Sequence, residues 1–350
     1  MKKRIEWIDL VRAVGMLLIV VGHSLGQYTG TYLGKVIFAV HVPLFFVVSG
    51  YLYKQQATKV VVKKGFFNLL LPYMATSILL YIAYFNWHIF PHGFSQLTLS
   101  NRQFLLEVAA GLGTSTNYGH LFVPSIGAIW FLLAMFTADI IFNFIVKVQR
   151  QVKMRYLDVL LTLICCVIGF WTAKYISLPW AFNATLISQP FYLFGKYLRQ
   201  NDLLEQGKAA WMFLGILLWL FSAYKGFFFI NIGYAANPLW AMLGAMGGSY
   251  ALMYLAMVVT RSGFKVKWLN LYGAFSIIAL CFHLIDIKAI TLSSVIFNNL
   301  NAHYGPVLAT VGMSTYRILL TFAALLVVPK VPFIRSFYLH RKYPFKKIIS

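Results

Sequence analysis

Apolar residues in this chain come in long runs separated by short polar stretches. A helix needs roughly 20 mostly apolar residues to cross a bilayer. Ten runs approach or exceed that length: residues 8–27, 35–54, 66–87, 124–147, 156–176, 180–198, 210–231, 237–260, 269–291 and 306–329. The pattern predicts an all-α fold, a polytopic transmembrane helical bundle with about ten spanning helices. Pro190, Lys225 and Asp286 interrupt the sixth, seventh and ninth runs. No long polar or Pro/Gly/Ser-rich linker divides the chain, so residues 1–350 read as a single membrane-embedded domain. The longest connection, 88–123, carries His88, His92, Arg102, Glu107 and His120. Within it, 103–112 (QFLLEVAAGL) reads as a short helix lying at the outer surface.

Composition supports this picture. Hydrophobic residues make up 60% of the chain and charged residues only 11%, where a soluble domain carries about 25% charged residues. The formal charge of +22 would suggest nucleic acid in a soluble protein. Its distribution argues otherwise. The N-terminus, every second connection and the C-terminal tail hold 23 of the 30 Lys and Arg residues. Five lie on the other side: Lys35, Arg102, Lys174, Lys225 and Lys288. Positive charge is retained on the cytoplasmic face of membrane proteins, so both termini should be cytoplasmic. That basic face would also attract lipid head groups and anionic cytosolic substrates. Asp9 and Arg12 interrupt the first run, and no small-residue cleavage site follows it, so it reads as an uncleaved helix. Cys165, Cys166 and Cys281 all lie in apolar runs, with no metal or disulfide spacing.

Ionisable groups inside spanning helices are costly and mark candidate sites. Arg12 and His23 are eleven residues apart, nearly three helical turns. They share one helix face about 16 Å apart along the axis, Arg12 toward the cytoplasm and His23 toward the outside. An Arg at that depth can instead snorkel to head groups, and a lone His can serve helix packing. His41 begins the second run at a similar depth to His23, and Pro43 leaves the Ala39 carbonyl without its helical donor. Asp139 and Arg317 read as a structural ion pair toward the inner half. Asp286, three residues after His283, is spaced to pair with it, and Asp9 to pair with Arg12.

The segments DLVRAVGMLLIVVGHS and HVPLFFVVSGYLY resemble the acyltransferase-3 family of membrane acyltransferases. That family shows an Arg, ten residues, then a His in its first helix, the spacing of Arg12 and His23. Further echoes follow in order: Lys63-Lys64 before LLLPY, AIWFLLAMF around Trp130, FYLFGKYLR around Gly195, and FSIIALCFH ending at His283. The chain ends soon after its last apolar run, so the likeness is to members without an appended extracytoplasmic hydrolase-like domain.

The resemblance implies an O-acyltransferase of a bacterial plasma membrane. The donor would be acyl-CoA, first of all acetyl-CoA, and the acceptor a hydroxyl of a cell-surface glycan or its lipid-linked precursor. No metal is implied. His23 would be the general base or a transient acyl carrier. Arg12 would bind donor phosphate or polarise the thioester carbonyl. Lys63 and Lys64 stand where many members carry an Arg-x-x-Arg motif, which implies a donor-binding role. Lysine meets phosphate as a point charge rather than a bidentate fork, and both lysines also suit the ordinary cytoplasmic excess of positive charge. His41, His283 and Trp130 would line the acceptor side; the Trp130 ring suits packing and sugar stacking alike. Two other functions fit the same polar groups: an exporter of a glycan or small anion, and an acyltransferase acting on a lipid or peptide.

Overall fold

The computed structural model describes residues 5–85, 99–264, 266–290 and 292–345. His88 and His92, and the basic residues Lys2, Lys3, Arg4, Lys265, Lys346 and Lys347, lie outside the described residues. The protein is an all-α bundle in which each of the ten apolar runs is helical over most of its length. Among the described residues, five helices are long and apolar enough to cross a membrane unaided, or six if one bent pair counts as a single span. The remaining runs form shorter helices, and several of the spanning ones are themselves jointed.

The joints follow from local chemistry. Helix α1 (Glu6–Gly22) ends at His23, the residue that caps it. The second run divides into α2 (Tyr32–Val40) and α3 (Pro43–Leu52). Pro43 cannot continue α2, but its fixed φ suits the first turn of α3. His41 therefore sits in the joint, and its Nδ1 lies 3.1 Å from the Ile37 carbonyl. The third run starts earlier than its hydropathy suggests. It comprises α4 (Thr58–Gly65), a π-helical turn (Phe66–Leu70) and α5 (Leu71–Phe85). The irregular turn immediately precedes Pro72, which has no N–H to donate back into the helix.

Helix α6 (Asn101–Ala110) confirms the short helix expected in the long connection, with Ser100 and Gln103 forming a capping box at its start. A hairpin of β1 (Thr116–Tyr118) and β2 (Leu121–Val123) turns at Gly119, whose φ is +59°. The fourth run is thus helical only from Trp130, as α7 (Trp130–Val152). Next come α8 (Leu157–Ala173), α9 (Phe182–Ile187), α10 (Gln189–Gln200) and α11 (Ala209–Lys225). The seventh run was expected to stay helical to 231. It stops at Gly226, whose φ of +139° few other residues adopt, and continues as the short hairpin β3 (Phe228–Phe229) and β4 (Tyr234–Ala235).

Helix α12 (Pro238–Arg261) is unbroken. The ninth run bends by 78° between α13 (Lys267–Ala274) and α14 (Ser276–Ala289). The tenth begins where expected: α15 (Leu292–Val327) is interrupted at Gly305 (φ +82°) just before Pro306, and a further helical stretch precedes that break. A short helix, α16 (Ile334–Tyr338), packs on α5.

Helix α1 is central, packed against α12, α13 and α14. Helix α3 lies against α10 along a seam of two glycines. A Cβ on Gly50 would meet the Tyr192 carbonyl, and one on Gly195 would meet the Val47 carbonyl. Small residues let helix backbones approach this closely inside a bilayer. Behind the seam, Lys196 of α10 forms a 2.8 Å ion pair with the fully buried Asp158 of α8, which also accepts from the Tyr197 hydroxyl. Asp139 accepts a 2.7 Å hydrogen bond from the Tyr192 hydroxyl. It is therefore not paired with Arg317, contrary to the sequence expectation.

Candidate active site

The C-terminal end of α1 opens into a cavity of about 310 Å³. His23 and Ile19 line it from α1, Phe38 from α2, His41 from the α2–α3 joint, Trp130 from the start of α7 and Asn231 from the loop after β3. His23 is accessible, whereas His41 and Trp130 are largely buried. Phe38 stands between the two cavity imidazoles, edge-on to His41 at 4.9 Å and to His23 at 6.5 Å between ring centroids. The cavity is thus mostly aromatic and apolar with a few directed polar groups, the usual make-up of a small-molecule site.

His283 stands behind His23 and is fully buried on α14. The two rings lie edge to edge and nearly coplanar, with an interplanar angle of 20°, and His23 Nδ1 lies 3.2 Å from His283 Nε2. His23, His41, His283 and Trp130 therefore come together from four separate parts of the chain. His283 supports His23 rather than lining the cavity itself.

Sequence spacing pointed to a His283–Asp286 pair. Instead Asp286 is held by Arg317, whose Nε donates to its carboxylate at 3.0 Å. A full ion pair outcompetes a neutral imidazole for a buried carboxylate. The same guanidinium donates through Nη1 to the His23 carbonyl at 3.0 Å and the Ser24 hydroxyl at 3.1 Å. Its Nη2 reaches the Ser293 hydroxyl at 3.3 Å. Arg317 therefore belongs to the His23 end of the bundle, not to the half expected from hydropathy. Sequence reasoning marked it as an intramembrane cation but not as a site residue. Its role depends on how α15 packs against α14, which carries no spacing signal.

Two connections close the cavity from above. Asn231 Nδ2 donates to Thr114 Oγ1 at 3.1 Å, joining the β3–β4 loop to the segment after α6. Gly113 lets that segment lie close, since a Cβ there would sit 2.8 Å from Trp130 Cδ1 and 3.0 Å from Asn231 Cβ. Lys288 of α14 donates to the Glu107 carboxylate and to the Ser125 carbonyl, tying α6 and the chain before α7 to the core. Burial pushes the Glu107 carboxyl above its ordinary range, and the Lys288 ammonium opposes that shift. Thr114 and Asn231 had no motif to reveal them.

The other candidates lie elsewhere. Arg12 does not line this cavity; it pairs with Asp9 at 3.9 Å, as the spacing allowed, with about a third (34%) of its side chain exposed. Lys63 lines a separate groove of about 430 Å³ with Thr58, Lys59 and Phe67. Lys64 turns away and donates to Gln56 Oε1. Among the described residues, no group of three His, Cys, Asp or Glu side chains is arranged to hold a metal ion.

Comparison with known proteins adds one finding. The acyltransferase-3 family model, described as an acyltransferase domain, matches residues 5–328. No curated protein and no solved structure matches the chain.

Proposed function

This multi-pass membrane protein belongs to the acyltransferase-3 family, and on that premise we propose that it moves an acyl group, first of all acetyl, from a cytosolic acyl-CoA to a hydroxyl of a cell-surface glycan or its lipid-linked precursor. The observation that carries this reading is His23: an accessible imidazole at the end of a buried helix, lining an aromatic cavity beside His41 and Trp130. The cavity is near the lower limit of ligand pockets, which span roughly 300–1,000 Å³. Such a volume suits one sugar ring and the acyl end of a donor, not a whole coenzyme A.

In this proposal ten crossings put both termini in the cytoplasm of a bacterial cell, within its plasma membrane. The strong cytoplasmic bias of Lys and Arg supports that orientation. The donor approaches from the Arg12 end of α1, where a guanidinium can meet phosphate or the thioester carbonyl. Lys63 and Lys64 add positive charge on that side. The acceptor enters from the other end, gripped by Trp130, His41 and the Thr114–Asn231 bridge. His23 either takes the acceptor proton as a general base or carries the acyl group between donor and acceptor.

Mass spectrometry of surface glycans tests the reading in cells lacking the protein, restored with wild type or with His23→Ala. The expected result is loss of an acyl mass from glycan of unchanged amount, restored by wild type alone. The size of that mass names the acyl group. Glycan of normal composition retained inside the cell would overturn the transferase reading in favour of export. Acylation restored by His23→Ala would remove His23 from the chemistry.

A further inference from the structure

A neutral imidazole carries one N–H, and its place decides what the other nitrogen can do. His23 Nδ1 faces His283 Nε2 at 3.2 Å, a distance that accommodates one hydrogen between them. If His283 donates, the His23 proton sits on Nε2. That nitrogen then has no lone pair and can neither take a proton nor attack a carbonyl. If His23 donates, its Nε2 is a free base. Resting on acyl transfer through His23, we propose that His283 is the positioning residue that accepts the His23 Nδ1–H and keeps the Nε2 lone pair available to the cavity.

Two observations support this role. First, His283 is fully buried and lies edge to edge with His23, so no water competes for its Nε2. Second, the nearby carboxylate of Asp286 is committed to Arg317. The orienting task that an aspartate performs in a Ser-His-Asp arrangement therefore falls to an imidazole. The proposed tautomer leaves the His283 Nδ1–H buried with no hydrogen-bond partner among the described residues, a cost that the arrangement carries. Arg317 completes the arrangement by holding the His23 carbonyl, so that the ring and the backbone of His23 are fixed from α14 and α15 respectively.

The chemistry balances on either route. As a base, Nε2 takes the acceptor O–H proton while the oxygen bonds the acyl carbon. The C–S bond breaks, and the departing thiolate receives that proton, giving ester and free thiol. On the covalent route Nε2 bonds the acyl carbon as the C–S bond breaks. The acceptor oxygen then displaces Nε2, and its proton passes to the thiolate. Both routes begin from the same lone pair, so the inference does not depend on choosing between them.

The test uses the full-length protein in membrane vesicles supplied with radiolabelled acetyl-CoA, with label counted in glycan. His283→Phe keeps the ring shape without an acceptor. It should lower kcat by about 10²–10³-fold, within the range of acid–base contributions, while the KM for acetyl-CoA stays within about twofold of wild type because the donor's own contacts remain. His283→Gln supplies a carboxamide oxygen that can accept the proton, and should recover most of the lost rate. Equal loss in both variants, or full activity in both, overturns the proposal.

Nitrogen NMR of histidine-labelled protein gives a second readout that packing alone would not move. The His23 signal, identified by its absence in His23→Ala, should report protonation at Nδ1 in wild type and lose that preference in His283→Phe. Protonation at Nε2 in wild type overturns the proposal even if transfer is intact. Wild type that transfers no label would instead remove the acyltransferase premise, and the inference with it.

Discussion

The two ends of α1 are built to opposite rules. Behind His23, side chains are buried and tied together: Arg317 reaches α1, Asp286 and Ser293, and His283 meets the His23 ring edge to edge. At the Arg12 end, the arginine side chain is about one-third (34%) exposed and lies 3.9 Å from the Asp9 carboxylate, against 9% side-chain exposure and 3.0 Å for Arg317 and Asp286. Bond-making benefits from groups held in place in advance. Capture of a polyanion from water benefits from cations that can still move. In the proposed function, the first end would serve the chemistry and the second the delivery of the donor.

The most direct way to break this comparison is to remove the imidazole. His23→Ala should lower acyl transfer by about 10²–10⁴-fold while acetyl-CoA binding persists, measured by vesicle labelling and by equilibrium binding to purified protein. Arg317→Ala comes next. It strands Asp286 in the core, which should cost about 3–5 kcal/mol of stability and lower activity with it. Thermal unfolding in detergent reads the first effect. Arg317→Lys, which preserves the charge but not the fork, should recover stability more fully than rate.

Arg12→Ala should act on the donor alone, raising the KM for acetyl-CoA about tenfold, the size of a lost hydrogen bond to a charged group. An equal fall in kcat with KM unchanged would place Arg12 in the transition state rather than in delivery. Thr114→Ala and Asn231→Ala should each weaken acceptor use by roughly fivefold, about 1 kcal/mol, with donor kinetics unaltered. Smallest of all, Lys63→Ala and Lys64→Ala should change the KM for acetyl-CoA by no more than about threefold at low ionic strength. Raising salt toward 1 M, where the Debye length is about 3 Å, should erase that difference.

The helical character of the bundle was legible because apolar runs of spanning length leave little alternative. Where the runs break was less legible. The helix of the seventh run ends at Gly226, but the aromatics on both sides of it keep the hydropathy high through 231. The bend before Ser276 had no Pro or Gly at the corner to announce it. The candidate site was legible in the histidines that the fold brings together, since His23, His41 and His283 are all costly in an apolar run. Their partners were harder to read. Asp286 and Arg317 are 31 residues apart and meet only because α15 folds back along α14. Asp139 drew the wrong partner for the same reason: hydropathy gives depth along a helix, but not which helices are neighbours.

The glycine seam between α3 and α10 reaches further than local packing. With backbone against carbonyl at both Gly50 and Gly195, and Lys196 fastened to Asp158, helices α3, α10 and α8 form one stiff slab. His41 stands at the head of that slab, nine residues and about 13 Å above Gly50 by the helical rise. A methyl group at Gly50 would act as a wedge near the foot of a lever. Its effect would emerge at the far end, as a tilt of the His41 wall and a change in which acceptors fit.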